Sequence, residues 1–120
     1  MKKILVVDDE PGFVKIAGLR LKYSGYEVVT AVDGEEALDR ARDSSPDLIL
    51  LDIKLPKRNG FEVCRILKAD PVLSKIPVVF CSADATTAIA QEAPRFGAAG
   101  YLIKPFEHEE MLEIFKNIFG

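Results

Sequence analysis

Five short apolar runs recur along the chain, at residues 4–7, 28–31, 48–51, 78–81 and 101–103. They are nearly continuous and rich in Val, Ile and Leu, rather than alternating with polar residues, which suits strands buried on both faces of a parallel sheet. Between them the apolar residues fall at helical spacing. Phe13, Ile16, Ala17 and Leu21 share one helical face, as do Ala37, Leu38 and Ala41, then Phe61, Cys64 and Leu67. Met111 or Leu112, Phe115 and Ile118 do the same at the end. Five such β-α units predict an α/β fold, a parallel sheet covered by helices on both faces.

Local punctuation agrees with that alternation. Asp33 with Glu36 three residues later resembles a capping box, and Pro11 suits a first helical turn. Ser24-Gly25 closes the first helix, and Pro46 separates the second helix from the third strand. The fourth helix, about residues 86–96, contains Pro94, which removes a backbone donor and crowds the carbonyl of Ala90. That helix is expected to be short, kinked or frayed at its C-terminal end.

At 120 residues the chain is one domain, and its 48% hydrophobic content excludes disorder and supports a core without metal or disulfide staples. Net charge is −3 with no basic block, so no direct nucleic-acid contact is expected. The longest apolar run, residues 76–81, falls far short of the roughly 18 residues of a membrane span. The run after Lys2 and Lys3 stops at Asp8, too soon for a signal peptide's apolar region of about 7–15 residues. Cys64 and Cys81 form no CxxC and read as small buried hydrophobes in a reducing compartment. A cytoplasmic location is expected. His108, the only histidine, lies near the start of the fifth helix and is expected to face solvent, with no role.

Polar groups follow the apolar runs directly. Asp8, Asp9 and Glu10 come after the first run and Asp52 after the third. Two β-α units separate them, so both sets occupy the same edge of the sheet, where α/β folds bind ligands at a switch in strand order. Orders 3-2-1-4-5 and 2-1-3-4-5 both remain open at this point; in the second, strands one and three are neighbours. Clustered carboxylates repel one another unless a cation joins them, and hard oxygen ligands suit Mg²⁺. Ser82 ends the fourth run, and Lys104-Pro105 follows the fifth. A cation, a hydroxyl and an ammonium around one carboxylate can each stabilise an oxygen of a transferred phosphoryl group, with Asp52 as nucleophile. Taken singly, each residue has an ordinary explanation: a solvated acidic loop, a capping Asp or Ser, a surface lysine. Jointly they place complementary chemistry at one edge of one sheet.

The motifs Ile4-Leu5-Val6-Val7-Asp8-Asp9-Glu10-Pro11, Pro46-Asp47-Leu48-Ile49-Leu50-Leu51-Asp52 and Leu55-Pro56-Lys57-Arg58-Asn59-Gly60 resemble the receiver domain of bacterial two-component response regulators. So do Cys81-Ser82-Ala83 and Tyr101-Leu102-Ile103-Lys104-Pro105-Phe106, and the resemblance covers residues 1–120 as one receiver domain like that of chemotaxis. The resemblance, not the spacing, implies a flavodoxin-like sheet of order 2-1-3-4-5. It also implies that Asp52 is the phosphoacceptor and that Asp8 and Asp9 hold Mg²⁺, or Mn²⁺, with Asp52 and the backbone carbonyl of Lys54. Ser82 and Lys104 would contact the phosphoryl group, Ser82 and Tyr101 would act as the switch, and the Lys104-Pro105 bond would be cis. The expected function is a phosphoacceptor regulator rather than an enzyme, altering only its own phosphorylation. A histidine kinase or histidine phosphotransfer protein would be the donor. The surface of the fourth helix, fifth strand and fifth helix would then signal to a downstream protein or output domain.

Departures and alternatives narrow the reading. Ala98-Ala99-Gly100 stands where winged-helix transcription factors of this family carry an acidic pair used in dimer salt bridges, so that dimer is not expected. A monomer or a phosphorylation-dependent dimer is left open. Pro94 falls on the expected output surface. A haloacid-dehalogenase-like phosphatase needs Asp-x-Asp after the first strand, which Asp8-Asp9-Glu10 lacks. An FMN binder needs Ser, Thr and Gly amides there, where this chain has acids. The alternative is a phosphorylation-independent pseudo-receiver, an interaction module that takes no phosphoryl group.

Overall fold

The apolar runs do form strands, and the intervening stretches form helices. The computed structural model describes residues 1–83 and 87–120, with side chains at all of these except 87–90. The elements are β1 (Lys3–Val7), α1 (Pro11–Tyr23), β2 (Glu27–Ala31), α2 (Gly34–Ser44), β3 (Leu48–Asp52) and α3 (Gly60–Ala69). A 3₁₀ turn at Leu73–Lys75 precedes β4 (Val78–Ser82), followed by α4 (Thr87–Arg95), β5 (Gly100–Ile103) and α5 (His108–Phe119). The sheet is parallel in the order β2-β1-β3-β4-β5. Among the described residues no helix is long and apolar enough to cross a membrane.

Side-chain alternation splits the core into two layers. Leu5, Val7, Ile49, Leu51, Val78 and Phe80 face α2, α3 and α4, packing against Leu38, Ala41, Val63 and Leu67. Ile4, Val6, Leu48, Leu50, Val79 and Cys81 face α1 and α5, packing against Leu21, Met111 and Phe115. β1, β3 and β4 sit between both layers, which is why their sequences are continuously apolar. β2 is an edge strand, and its exposed Glu27 and Thr30 depart from burial on both faces.

The caps follow the sequence signals. Asp33 accepts the Glu36 amide at 2.8 Å, Pro11 opens α1, and Gly25 leaves it at φ +92. α4 is short, as expected, at 9 residues ending one past Pro94. Pro94 sits in its last turn, where a missing donor costs one helical bond. The chain then closes with Ala98 N–H donating to Ala93 O and Gly97 N–H donating to Pro94 O. Gly97 has φ +79, the left-handed conformation such a closure requires. The expected start at Thr86 lies outside the described residues. Ile16, expected on the buried face of α1, is 54% exposed. Ala17, Gly18 and Leu21 take the core-facing stripe instead. Ile16 lines an open groove of about 400 Å³ between α1 and the β5–α5 turn.

Candidate functional site

The strand register creates the site. Val7 pairs with Leu51, so Asp8 leaves β1 where Asp52 ends β3. Asp52 pairs with Cys81, and Ser82 is the next residue of β4. Ser82 in turn pairs with Ile103, and its carbonyl accepts the Lys104 N–H at 2.8 Å. The sheet thus delivers Asp8, Asp52, Ser82 and Lys104 to one edge. The Lys104-Pro105 peptide is cis.

Asp8 and Asp52 are buried, at 1% and 6% exposure, while Asp9 is exposed. One carboxylate oxygen from each of the three lies within 4.8 Å of the other two. Asp8 is held at both oxygens: Oδ1 accepts the Glu10 N–H at 2.9 Å, and Oδ2 accepts from Lys104 Nζ at 2.5 Å. The same ammonium lies 3.9 Å from Asp52 Oδ2 and 3.5 Å from Glu10 Oε1. Ser82, at 1% exposure, is buried beside this cluster.

Burial is the largest influence on Asp52 and pushes its carboxyl up to about 6. The charge of Asp8 adds to the rise, while Lys104 and the backbone N–H groups of Lys54 and Ile53 pull against it. For Lys104, desolvation favours the neutral amine, but the Asp8 hydrogen bond and the charges of Asp52 and Asp8 outweigh it, so its pKa is raised. Burial also raises the Cys81 thiol to about 12, which keeps it an inert hydrophobe behind the site.

This donor set fits a small hard divalent cation. It offers three carboxylate oxygens in reach of one another, and the two on buried residues, Asp8 and Asp52, share the Lys104 ammonium. Lys54, two residues past Asp52, is exposed in the β3–α3 loop. That loop is pressed onto the site: the Gly60 N–H donates to Ile53 O at 2.7 Å, and a Cβ on Gly60 would stand 2.3 Å from Asp52 O. Tyr101 is set apart from the cluster. It lies on β5 and pairs with Phe80 of β4, and 41% of it is exposed.

Two further residues reach Lys104. Its Nζ lies 4.2 Å from the centroid of the Phe13 ring, and Glu10 is the third acid around it. Helical spacing assigns Phe13 only to the packed face of α1; its lysine partner lies 91 positions further along the chain, beyond the reach of any local pattern. His108 also departs from the sequence reading. It is half-buried, with Nε2 3.0 Å from Ser24 Oγ, and its Nδ1 is buried without a partner among the described residues. The cause is the first turn of α5 reaching the C-terminal end of α1.

Known proteins share both sequence and geometry. A family model for the response regulator receiver domain matches residues 4–116. The alkaline phosphatase synthesis transcriptional regulatory protein PhoP of Bacillus subtilis is 43% identical over 110 residues, covering 92% of this chain and 45% of PhoP. The DNA-binding response regulator MtrA of Mycolicibacterium smegmatis is 38% identical over 111 residues, covering 92% of this chain and 47% of MtrA. The chain therefore spans just under half the length of these relatives. Among solved structures, the chemotaxis response regulator CheY4 of Vibrio cholerae superposes with a TM-score of 0.91 at 32% identity, covering 98% of each chain. A BeF₃-activated DrrB receiver domain gives 0.87 at 28% identity, covering 99% of this chain and 97% of the other. With a flavodoxin-like sheet of order 2-1-3-4-5 and a family match over nearly its whole length, the chain belongs to the receiver domains of two-component response regulators.

Proposed function

We propose that residues 1–120 act as one receiver unit that accepts a phosphoryl group on Asp52. The observation that carries this reading is the convergence of the Asp8, Asp9 and Asp52 carboxylates within 4.8 Å, beside the Lys104 ammonium. The donor is a phosphohistidine on a kinase or phosphotransfer protein, in keeping with the family. An Asp52 carboxylate oxygen forms the new O–P bond as the donor's N–P bond breaks, and the electron pair leaves with the imidazole nitrogen. Asp8, Asp9, Asp52 and the Lys54 carbonyl would hold Mg²⁺, or Mn²⁺, which supplies charge neutralisation at the phosphoryl oxygens. The protein's only chemistry is on itself.

Phosphorylation adds a charge of about −2 and three acceptor oxygens at Asp52. Lys104 gains a stronger partner than Asp8, and the Ser82 hydroxyl gains an acceptor. Ser82 moving toward it vacates space that Tyr101 fills, changing the α4–β5–α5 surface read by a downstream protein or output domain. The net charge of −3 with no basic block favours protein contacts over direct nucleic-acid contacts by this segment, and the reading places it in the cytoplasm. The test is intact mass after incubation with acetyl phosphate and Mg²⁺. The parent gains one phosphoryl group and Asp52→Asn gains none; equal gain in both, or gain in neither, refutes the assignment.

A further inference from the structure

We propose that Phe13 is a positioning residue for Lys104, holding its ammonium over Asp52 by a cation–π contact that does not depend on Asp8. The inference rests on the phosphoacceptor reading above. Among the described residues, Lys104 Nζ has four charged or aromatic neighbours: Asp8, Glu10, Asp52 and the Phe13 ring at 4.2 Å from its centroid. Only 12% of the lysine side chain is exposed, so water competes little for it. Three of the four neighbours are carboxylates. Asp8 and Asp52 also belong to the group that fits a divalent cation, so metal binding would draw on the same carboxylates that hold the lysine. The ring is different. Its quadrupole attracts an ammonium and offers no ligand to a hard cation.

Phe13 is itself fixed. Phe106 meets it edge-on, with centroids 6.1 Å apart and planes at 74°. Phe106 lies two residues beyond Lys104, so the aromatic pair fastens the β5–α5 turn to the first turn of α1. The lysine's anchor and the turn that carries it are thus held by one ring. When Asp8 is engaged elsewhere, the ammonium keeps a neighbour that leaves it within reach of Asp52.

The experiment compares the whole chain with Phe13→Leu, which keeps apolar bulk and loses the ring, and with Phe13→Tyr, which keeps the ring. A small donor, acetyl phosphate, at saturating Mg²⁺ removes any effect of protein docking on α1. Phosphorylation of Phe13→Leu slows by about 3- to 30-fold, the range a cation–π contact spans, and Phe13→Tyr stays within about twofold of the parent. The Mg²⁺ dissociation constant is unchanged in both. A separate readout needs neither metal nor phosphate. In metal-free protein the Lys104 ε-methylene protons resonate upfield through the ring current in the parent and in Phe13→Tyr, and lose that shift in Phe13→Leu. Parent-like phosphorylation in Phe13→Leu, or a rate in Phe13→Tyr as low as in Phe13→Leu, overturns the proposal. So does an absence of the upfield shift in the parent. If the parent takes no phosphoryl group at all, the phosphoacceptor reading fails, and the proton shifts still decide whether Phe13 holds Lys104.

Discussion

Replacing Asp52 by Asn should make the metal-free protein more stable at neutral pH, and the gain should fade in acid. The Asp52 carboxyl is raised from 3.8 to about 6, first by burial and then by the charge of Asp8. Between those values the folded protein binds more protons than the unfolded chain, so stability falls as pH rises through the window. The penalty is complete above the folded pKa and absent below the unfolded one. At about 1.36 kcal/mol per pKa unit it amounts to about 3 kcal/mol near neutrality and about 1 kcal/mol near pH 4.5. Asparagine carries no charge to desolvate and removes that penalty, while Lys104 retains its bond to Asp8. Urea unfolding with a chelator present, at about pH 7.5 and again near pH 4.5, measures both ends of the window. A variant no more stable than the parent at the higher pH, or a difference that does not change with pH, would refute the argument that Asp52 is electrostatically strained.

Two other outcomes follow from the geometry. Gly60→Ala should destabilise by about 1–3 kcal/mol in urea unfolding, because the added Cβ would meet the backbone oxygen of Asp52 at 2.3 Å and the loop must shift; unchanged stability would show that the loop yields freely. Asp9→Ala should weaken Mg²⁺ binding by about tenfold or more in a calorimetric titration, with little change in melting temperature, since Asp9 is exposed and offers the cluster a carboxylate oxygen rather than packing.

What the sequence could convey depended on the range of the physics involved. The strands were readable because β1, β3 and β4 are buried on both faces and must be apolar throughout. Asp33, Pro11 and Gly25 were readable because caps act over a few residues. Asp8 and Asp52 came together in the reading through topology, two β-α units apart on one sheet edge. The family resemblance, not the residue pattern, selected the strand order that makes them neighbours. Ile16 was misassigned because α1 is apolar on more than one face, so spacing alone does not say which face meets the sheet. His108 was misplaced because its partner, Ser24, lies 84 residues away on another helix. The shortness of α4 was legible in Pro94, since a proline acts on its own helical turn, and Gly97 closes the chain just past the helix end.

The site divides into parts that are fixed and parts that can rearrange, and the division follows from the elements that carry them. Asp8 stands at the end of a strand with both carboxylate oxygens bonded, and Asp52 ends the central strand under the backbone of Gly60. Neither acid can follow a new charge without moving the sheet. Lys104 sits on a four-carbon stem leaving a turn, and Ser82 needs only a rotation about its side-chain bond. Tyr101, with 41% of its surface exposed, already has room on its outer side. If Asp52 takes a phosphoryl group as proposed, the new charge would act on β4 and β5 before it acts on β1 and β3. On that proposal the strands that hold the acids would serve as the rigid frame, and the strands that carry the lysine, the hydroxyl and the aromatic ring would report the change.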